Sequence, residues 1–192
     1  MTIEKTEIEG VYIITPRVHE DERGFLMESY RVDVFREAGI SDVFVQDTHI
    51  KSLRKNTIRG LNFQWEPPMA KLLRVMKGSA FLVAVDLRKD SPTLGKWVGI
   101  EASEENKKQL YAPASFARGF QTLTDDVEVL YKFSAYYNPA GEGDIAWNDP
   151  DIGIEWPLQG EPILSERARH APSFKEWLAS PHADIFHYRE KT

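Results

Sequence analysis

Apolar and polar residues alternate with a period of two along most of the chain, and this pattern predicts β-strands. The clearest cases are residues 79–88, SAFLVAVDLR, and residues 126–137, DVEVLYKFSAYY. In the second segment apolar and aromatic side chains share one face, whereas charged and hydroxyl side chains lie on the other. Residues 71–78 and 11–16 are also predicted strands. The chain is therefore expected to be built mainly of sheet.

Helical patterns are few and short. Residues 31–39, RVDVFREAG, predict two helical turns that end at Gly39. Residues 173–178, SFKEWL, begin with the spacing of a capping box, from Ser173 to Glu176. Closely spaced strands separated by turn residues are typical of a sandwich or barrel, so we expect an all-β jelly roll with a few short peripheral helices.

Composition narrows the class of protein. The 192 residues contain no internal repeat and no Pro/Gly/Ser-rich linker, which suits a single domain. No segment has the length of a membrane span and the first residues lack the apolar centre of a signal peptide. The absence of cysteine fits the reducing cytoplasm. A net charge of −6 argues against a nucleic-acid partner but leaves room for an anionic small ligand, provided that basic residues gather in one cleft.

Common catalytic groups are missing. The five histidines include no His-x-His pair, so we expect no metal and no cofactor. There is no cysteine nucleophile, no G-x-S-x-G elbow and no phosphate-binding loop before a helix. The remaining candidates are basic and aromatic residues on predicted strands. Among them, IRGLNFQ, residues 58–64, combines the fixed cation Arg59 with Gly60, which would let a ligand approach the backbone.

Lys71 and two tyrosines are the strongest of these candidates, although each has a structural interpretation. Lys71 shares an apolar strand face with Leu73 and Val75, where an ammonium needs a partner; alternatively it marks the solvated end of the strand. Tyr131 and Tyr137 share one face and either line the barrel interior as functional groups or serve as core aromatics.

A cation beside an aromatic ring occurs near the N-terminus, where Arg23 and Phe25 alternate along DERGFLMES. The pair suits a nucleobase with its phosphate, and a structural cation–π contact is an equal alternative.

Seven collinear segments resemble the dTDP-4-dehydrorhamnose 3,5-epimerase family, and the similarity extends over about residues 3–175. They are DERGFLMES, FVQDTH, IRGLNFQ, KLLRVMKGSAFLVAVDLRKDSPTLGKWVG, ENKKQLYAPASFARGF, VLYKFSAYYNP and AWNDPDIGIEWP. The resemblance implies a cupin-type jelly roll, a homodimer without metal, and a nucleotide-activated 4-keto-6-deoxy sugar bound inside the barrel. It also implies a cytoplasmic role in carbohydrate (O-antigen) biosynthesis. We therefore expect one domain over residues 1–192, with a core over about 3–175 and a C-terminal helical extension over about 173–192.

The chemistry of this family needs a base, a proton donor and a cation, because the protons at C3 and C5 beside a 4-keto group are weakly acidic. The resemblance implies that Tyr131 is the proton donor and that Lys71 stabilises the enolate. It implies ligand contacts for a wider set, in which Phe25 faces the nucleobase and Tyr137 stacks near the ligand: Arg23, Phe25, Glu28, Gln46, Thr48, Arg59, Arg118, Tyr137, Glu142 and Arg167.

Four positions depart from the family pattern. The family's RGLHxQ is RGLNFQ here, so Asn62 takes the place of the histidine base. The family's SEKD is SERA, so Ala168 replaces the aspartate that orients that histidine. Arg118 stands where FAHGF has a second histidine, and Thr48 replaces the amide of QDNH. An asparagine side chain cannot act as a base at neutral pH.

Three functions remain open from the sequence. The first is an epimerase or isomerase with a modified route, in which Asn62 holds the substrate or a water and same-face chemistry is favoured. The second is a nucleotide-sugar binding protein without catalysis. The third is an altered substrate whose carboxylate is recognised by Arg118, with the alternative that Arg118 forms a salt bridge and contacts no ligand. His49 and His170 are the histidines nearest in sequence to the relevant segments.

Overall fold

The computed structural model describes residues 1–189 and consists mainly of β-strands. The strands in chain order are β1 (Thr2–Lys5), β2 (Tyr12–Thr15), β3 (Val18–Asp21), β4 (Gly24–Met27), β5 (Gln46–Ser52), β6 (Ile58–Gln64), β7 (Lys71–Lys77), β8 (Ser79–Asp86), β9 (Trp97–Ser103), β10 (Gln109–Ala112), β11 (Phe116–Thr122), β12 (Val127–Phe133) and β13 (Glu142–Asp144). The helices are α1 (Val32–Glu37), α2 (Glu166–Arg169) and α3 (Phe174–Ala179), with 3₁₀ turns at Pro139–Gly141 and Pro181–Ile185.

Two antiparallel sheets form the body of the protein. The six-stranded sheet has the order β1-β2-β10-β7-β12-β5, and the five-stranded sheet has the order β13-β6-β11-β8-β9. Their strand order interleaves segments distant in the chain, as in a jelly roll. The strands β3 and β4 form a separate hairpin. The expected all-β jelly roll with short peripheral helices is confirmed.

The apolar pattern reflects burial on both faces of the central strands. On β8, Leu82 and Ala84 pack in the interior between the sheets, whereas Val83 and Val85 belong to a second cluster. That cluster includes Trp177 of α3, so the C-terminal segment covers the outer face of the five-stranded sheet. A third cluster packs α1 against the outer face of the six-stranded sheet.

Both predicted helices are present, and their ends follow local chemistry. The helix α1 ends before Gly39, which adopts a φ of +92° that few other residues tolerate. The side chain of Ser173 accepts a hydrogen bond from the Glu176 backbone, and the Glu176 carboxylate accepts one from the Ser173 backbone, which completes the predicted capping box at α3. Of the predicted C-terminal extension, α3 and the 3₁₀ turn span residues 174–185, and residues 190–192 lie outside the described residues.

The predicted strand over 126–137 is shorter in the structure, where β12 ends at Phe133. Both neighbouring strands also begin at this point, because Phe133 pairs with the first residue of β5 and the first residue of β7. Beyond it the Ser134 hydroxyl accepts a hydrogen bond from the Ala70 backbone at 2.8 Å, and the chain leaves the sheet. Tyr137 is consequently at the rim of the barrel rather than on a strand.

Candidate active site

A cleft of about 380 Å³ opens between the two sheets, and we call it the cleft throughout. Its volume lies in the usual range for small-molecule sites. The residues that line it are Gln46, Thr48, Ile50, Arg59, Asn62, Lys71, Tyr131, Phe133, Tyr137, Glu142 and Arg167. Every residue predicted for the site from the sequence is in this set, except for Arg23, Phe25, Glu28 and Arg118.

Strand register brings the central groups together. Tyr131 on β12 pairs with Thr48 on β5, and Phe133 pairs with Lys71 on β7. Side chains two residues apart on neighbouring strands share a face, so these groups form one wall of the cleft. Asn62 lies on β6 in the other sheet and forms part of the opposite wall.

Lys71 is buried, with only 5% of its surface exposed, so the alternative of a solvated strand end is wrong. Its amine donates a hydrogen bond of 2.9 Å to Oδ1 of Asn62 across the cleft. The rings of Tyr131 and Phe133 lie 5.9 Å and 5.1 Å from Nζ. Burial, reinforced by the positive charge of Arg118, lowers the pKa of Lys71 to about 7. A lysine of this kind exchanges protons at neutral pH.

Tyr131 is also buried, and burial raises the pKa of its hydroxyl far above the ordinary value, so the group is a protonated donor at neutral pH. Within residues 1–189 the Tyr131 hydroxyl has no hydrogen-bonding partner. Unlike the unpartnered polar atoms that are completely buried, its oxygen keeps some accessible surface. The hydroxyl therefore faces the cleft and is free to serve a ligand.

The mouth of the cleft is a polar network. Tyr137 donates a hydrogen bond of 2.9 Å to Glu142, which also accepts one of 2.6 Å from Arg167. Arg167 makes a further hydrogen bond and ion pair with Asp144. Gln46 accepts a hydrogen bond from the Tyr137 backbone at 3.0 Å, which ties the mouth to β5.

Arg59 is held at one side of the cleft. Its guanidinium donates to the Ser52 hydroxyl at 2.9 Å and to the Lys51 carbonyl at 3.1 Å, and neither partner neutralises its charge. An anionic ligand group would therefore meet a fixed cation. The neighbouring Gly60 was expected to let a ligand approach the backbone, but the structure gives a different reason for a glycine at this position. Its φ is +95°, and a side-chain carbon there would lie 2.5 Å from the backbone oxygen of Arg118, so the close approach is to β11.

Arg118 does not line the cleft. It is fully buried in the barrel interior, where its guanidinium donates to the backbone carbonyls of Phe116 and Met69. Nε has no partner in the part of the chain that the structure describes. The predicted alternative of a salt bridge is wrong as well, because the guanidinium contacts carbonyls instead of a carboxylate. Burial lowers the pKa of Arg118 to about 9, which still leaves it charged at neutral pH.

Arg23, Phe25 and Glu28 lie outside the cleft of the same chain. Arg23 forms an exposed ion pair with Asp21, and Lys107 sits 4.0 Å over the ring of Phe25. The structural cation–π contact for Phe25 is thus formed with a lysine rather than with Arg23. The hairpin that carries these residues stands apart from both sheets.

A second cavity of about 340 Å³, which we call the side chamber, adjoins the cleft and shares Arg59, Asn62 and Arg167 with it. Ala168 lines this chamber, which places the two dyad positions of the resemblance at one cavity. Asp144, which sequence reasoning missed, lines it too and pairs in register with Asn62. The sequence signal that could have identified Asp144 is its spacing of two residues from Glu142, which places both side chains on one face of a strand. Burial raises the pKa of Asp144 despite the ion pair with Arg167.

The nearby histidines are not part of the site. His49 points away from the cleft and pairs with Glu128 at 3.0 Å, and His170 is exposed and pairs with Glu166. Over residues 1–189, no group of three or more histidine or acidic side chains is placed to hold a metal ion. In the same range no helix is long and apolar enough to cross a membrane.

Comparison with known proteins agrees with this geometry. The family model of dTDP-4-dehydrorhamnose 3,5-epimerase matches residues 5–176. The chain belongs to the dTDP-4-dehydrorhamnose 3,5-epimerase family. It is 51% identical to the dTDP-4-dehydrorhamnose 3,5-epimerase of Salmonella typhimurium over 180 residues, which is 93% of this chain and 98% of that protein.

Solved members of the epimerase family share the whole fold. A Legionella pneumophila epimerase in complex with dTDP-4-keto-L-rhamnose is 38% identical, with a TM-score of 0.91 and 99% of both chains covered. A double mutant of ChmJ, a 3'-monoepimerase from Streptomyces bikiniensis, is 34% identical with a TM-score of 0.84, over 90% of this chain and 87% of that one. That mutant has a histidine changed to asparagine and a tyrosine changed to phenylalanine, and it is in complex with dTDP. The cupin-type jelly roll implied by the resemblance is confirmed.

Proposed function

We propose that the protein binds a dTDP-linked 4-keto-6-deoxy sugar in the cleft and epimerises or isomerises it at C3, C5 or both. The observation that carries the proposal is the buried pair of Lys71 and Tyr131, one with a titratable amine and the other with a free hydroxyl. Proton transfer beside a ketone needs these two kinds of group within reach of one ring. Family membership supports the substrate class, because a relative of the same fold is in complex with dTDP-4-keto-L-rhamnose.

The two ends of the cleft suit the two ends of such a ligand. Arg59 offers a guanidinium that matches the geometry of a phosphate and has no carboxylate partner within the described residues, whereas the guanidinium of Arg167 is already paired with Glu142 and Asp144. The sugar would then reach the interior, where Lys71, Tyr131 and Asn62 surround the carbons next to the ketone. The third function considered from the sequence, a carboxylate recognised by Arg118, has no support from the structure, because this side chain is fully buried and does not line the cleft.

A second candidate is a nucleotide-sugar binding protein without catalysis. The observation that favours it is the pair Asn62 and Ala168, which leaves the side chamber without an imidazole and its orienting carboxylate. The ChmJ double mutant supports nucleotide binding without the histidine, because this family member carries a histidine-to-asparagine change and is in complex with dTDP. The binding candidate predicts tight nucleotide binding with no turnover.

One experiment separates the two candidates. The protein is incubated with dTDP-4-keto-6-deoxyglucose in D₂O, and the signals of C3 and C5 are followed by NMR while dTDP affinity is measured by calorimetry. We expect deuterium to enter at one carbon or both at a rate that depends on protein concentration, because the enolate exchanges its proton with solvent. Tight dTDP binding with no exchange at either carbon would instead establish the binding function for this substrate.

The predicted homodimer gives the hairpin residues a place in the site. Phe25 and Leu26 expose 54% and 69% of their surface on the β3–β4 hairpin, which is costly for two large apolar side chains at a hairpin tip. Arg23 and Phe25 do not line the cleft of their own chain. We therefore propose that the hairpin of one subunit reaches the cleft of its partner, where Arg23, Phe25 and Glu28 contact the nucleotide.

Subunit complementation tests this arrangement. Co-expression of an Arg23→Ala/Phe25→Ala variant with a Tyr131→Phe variant should restore about a quarter of the wild-type activity, because half of the dimers are mixed and each mixed dimer has one intact site. Each variant expressed alone is the control and should be nearly inactive. Activity of the co-expressed sample equal to the mean of the two single samples would place the hairpin and the cleft of one chain in the same site, or remove the hairpin from it.

A further inference from the structure

Two buried basic groups share the interior of the barrel without a carboxylate partner. Lys71 hydrogen bonds to an amide and Arg118 to two backbone carbonyls, and neither forms an ion pair within the described part of the chain. Two buried cations without counter-ions are costly, and one of them loses its proton most readily. Because a guanidinium holds its proton more strongly than an amine, Lys71 is the group that becomes neutral.

From this arrangement we infer that Lys71 is the proton-abstracting base of this protein, in place of the histidine that the family resemblance implies at position 62. The inference rests on the proposed function, since it names the base for that reaction. The amine crosses from the six-stranded sheet to within 2.9 Å of Asn62 on the five-stranded sheet. The amine nitrogen therefore lies beside the five-stranded sheet, and its lone pair, which the contact with Asn62 does not use, is available to a ligand in the cleft.

Asn62 has a defined role in this arrangement. Its Oδ1 accepts a hydrogen bond from the Lys71 amine, which a neutral amine can donate while it keeps its lone pair. This contact fixes the position of Nζ at the cleft. Asn62 is thus a positioning residue, which explains how an amide can stand at the base position without acting as a base.

The charges around Lys71 come from several elements. Arg118 on β11 and Arg167 on α2 lower its pKa, whereas Glu142 and Asp144 on β13 raise it. Both carboxylates are already bound to Arg167, which weakens their hold on Lys71. Arg59 on β6 adds a further positive charge to the cleft wall, and Tyr131 on β12 is neutral at this pH. The rings of Tyr131 and Phe133 lie within cation–π range of Nζ and favour the charged amine, so they act against the effect of burial.

Proton abstraction by Lys71 converts the ketone into an enolate. The lone pair of Nζ takes the proton from C3 or C5, the C–H bonding electrons form the C=C bond of the enolate, and the C4 carbonyl electrons move to oxygen. Lys71 becomes an ammonium beside the new anion and stabilises it. Tyr131 then donates its proton to carbon from the other wall, or Lys71 returns its own, and solvent restores both groups.

The sign of the pH dependence distinguishes this role from that of an enolate-stabilising cation. A base must be neutral, so the rate of exchange should rise with pH through about 7, where Lys71 loses its proton. A lysine that acts only as a cation must be protonated, so the rate would fall over the same range. The measurement is the rate of deuterium entry at C3 and C5 at saturating substrate, as a function of pH.

Lys71→Arg is the matched variant, since it keeps a cation and removes the base. We expect exchange to fall by about 10²- to 10⁴-fold, the usual loss for a general base, while dTDP affinity changes little. The chain contains no cysteine, so Lys71→Cys introduces a single thiol. Alkylation of that thiol with 2-bromoethylamine gives a lysine analogue with a more acidic amine. It should restore part of the activity and move the rising limb of the pH profile to lower pH.

The base role of Lys71 is contradicted by several distinct results. Wild-type exchange that survives in Lys71→Arg, or that falls as pH rises, overturns the base role and leaves the proposed function standing. A rising limb that disappears only in Asp144→Asn assigns the base to that carboxylate. An adduct trapped on Lys71 by borohydride replaces base catalysis with an imine at C4. If the wild-type protein exchanges no proton, the proposed function fails and the base role fails with it.

Discussion

Replacement of Tyr131 by phenylalanine should lower the epimerisation rate by about 10²- to 10⁴-fold, the range expected when a general acid is lost. The ring contacts of Tyr131 with Phe120 and Phe133, at centroid distances of 6.4 Å and 5.9 Å, are retained in the variant, so the fold should be kept. The hydroxyl is the group removed, and it has no protein partner to lose within residues 1–189. The rate of product formation by NMR is the measurement.

Deuterium exchange sharpens this prediction. If Lys71 removes the proton and Tyr131 returns one from the other wall, the Tyr131→Phe variant should still exchange its substrate proton with solvent while inversion is lost. Tyr137→Phe is the matched control at the rim, where its hydroxyl bonds to Glu142, and its effect should appear mainly in KM. An equal loss of kcat in the two tyrosine variants would show that the buried hydroxyl has no special part in proton transfer.

Restoration of the histidine–aspartate dyad at positions 62 and 168 should also have a large effect on the exchange rate. In the Lys71→Arg background, Asn62→His together with Ala168→Asp should raise exchange by about 10²- to 10⁴-fold, because the imidazole supplies a base again. The side chamber of about 340 Å³ between these positions gives the two larger side chains room. In the wild-type background the gain should be smaller, since Lys71 already provides a base.

The single substitutions are the controls for this prediction. Asn62→His alone lacks the carboxylate that orients it, and Ala168→Asp alone adds no base, so the two changes should be strongly non-additive. A double variant that folds and binds dTDP but remains inactive would show that the chamber is remodelled. Asp144 and its ion pair with Arg167 would then be the first groups to examine, because a new carboxylate at position 168 enters a cavity that already holds one.

The sequence predicted the strands well where burial follows a simple period. The segments 11–16, 71–78 and 79–88 contain the strands β2, β7 and β8, and the capping box at Ser173 marks α3 as expected. The prediction for 126–137 extended too far, since alternation continues past Phe133 although both neighbouring strands stop there. Strand ends depend on partners, which a local pattern does not contain.

The sequence predicted the residue types of the site, whereas the structure decided the environment of three residues. Lys71 is buried rather than at a solvated strand end, because it lies beside the rings of Tyr131 and Phe133 on β12 and hydrogen bonds to Asn62 on β6. Arg118 points into the barrel rather than at a ligand, since its parity on β11 matches that of the interior residues Phe116 and Phe120. Asp144 was overlooked, because its position opposite Asn62 follows from the pairing of β13 with β6.

The sequence by itself determined the all-β class, the family, the absence of a thiol, and the replacement of a histidine–aspartate dyad by Asn62 and Ala168. These are properties of residue identity and short-range period. Only the tertiary structure decided the protonation of Lys71, because the pKa of an amine depends on its desolvation and on charges brought near by other strands. The sequence thus shows that position 62 holds no base, and the fold places Nζ of Lys71 2.9 Å from Oδ1 of Asn62.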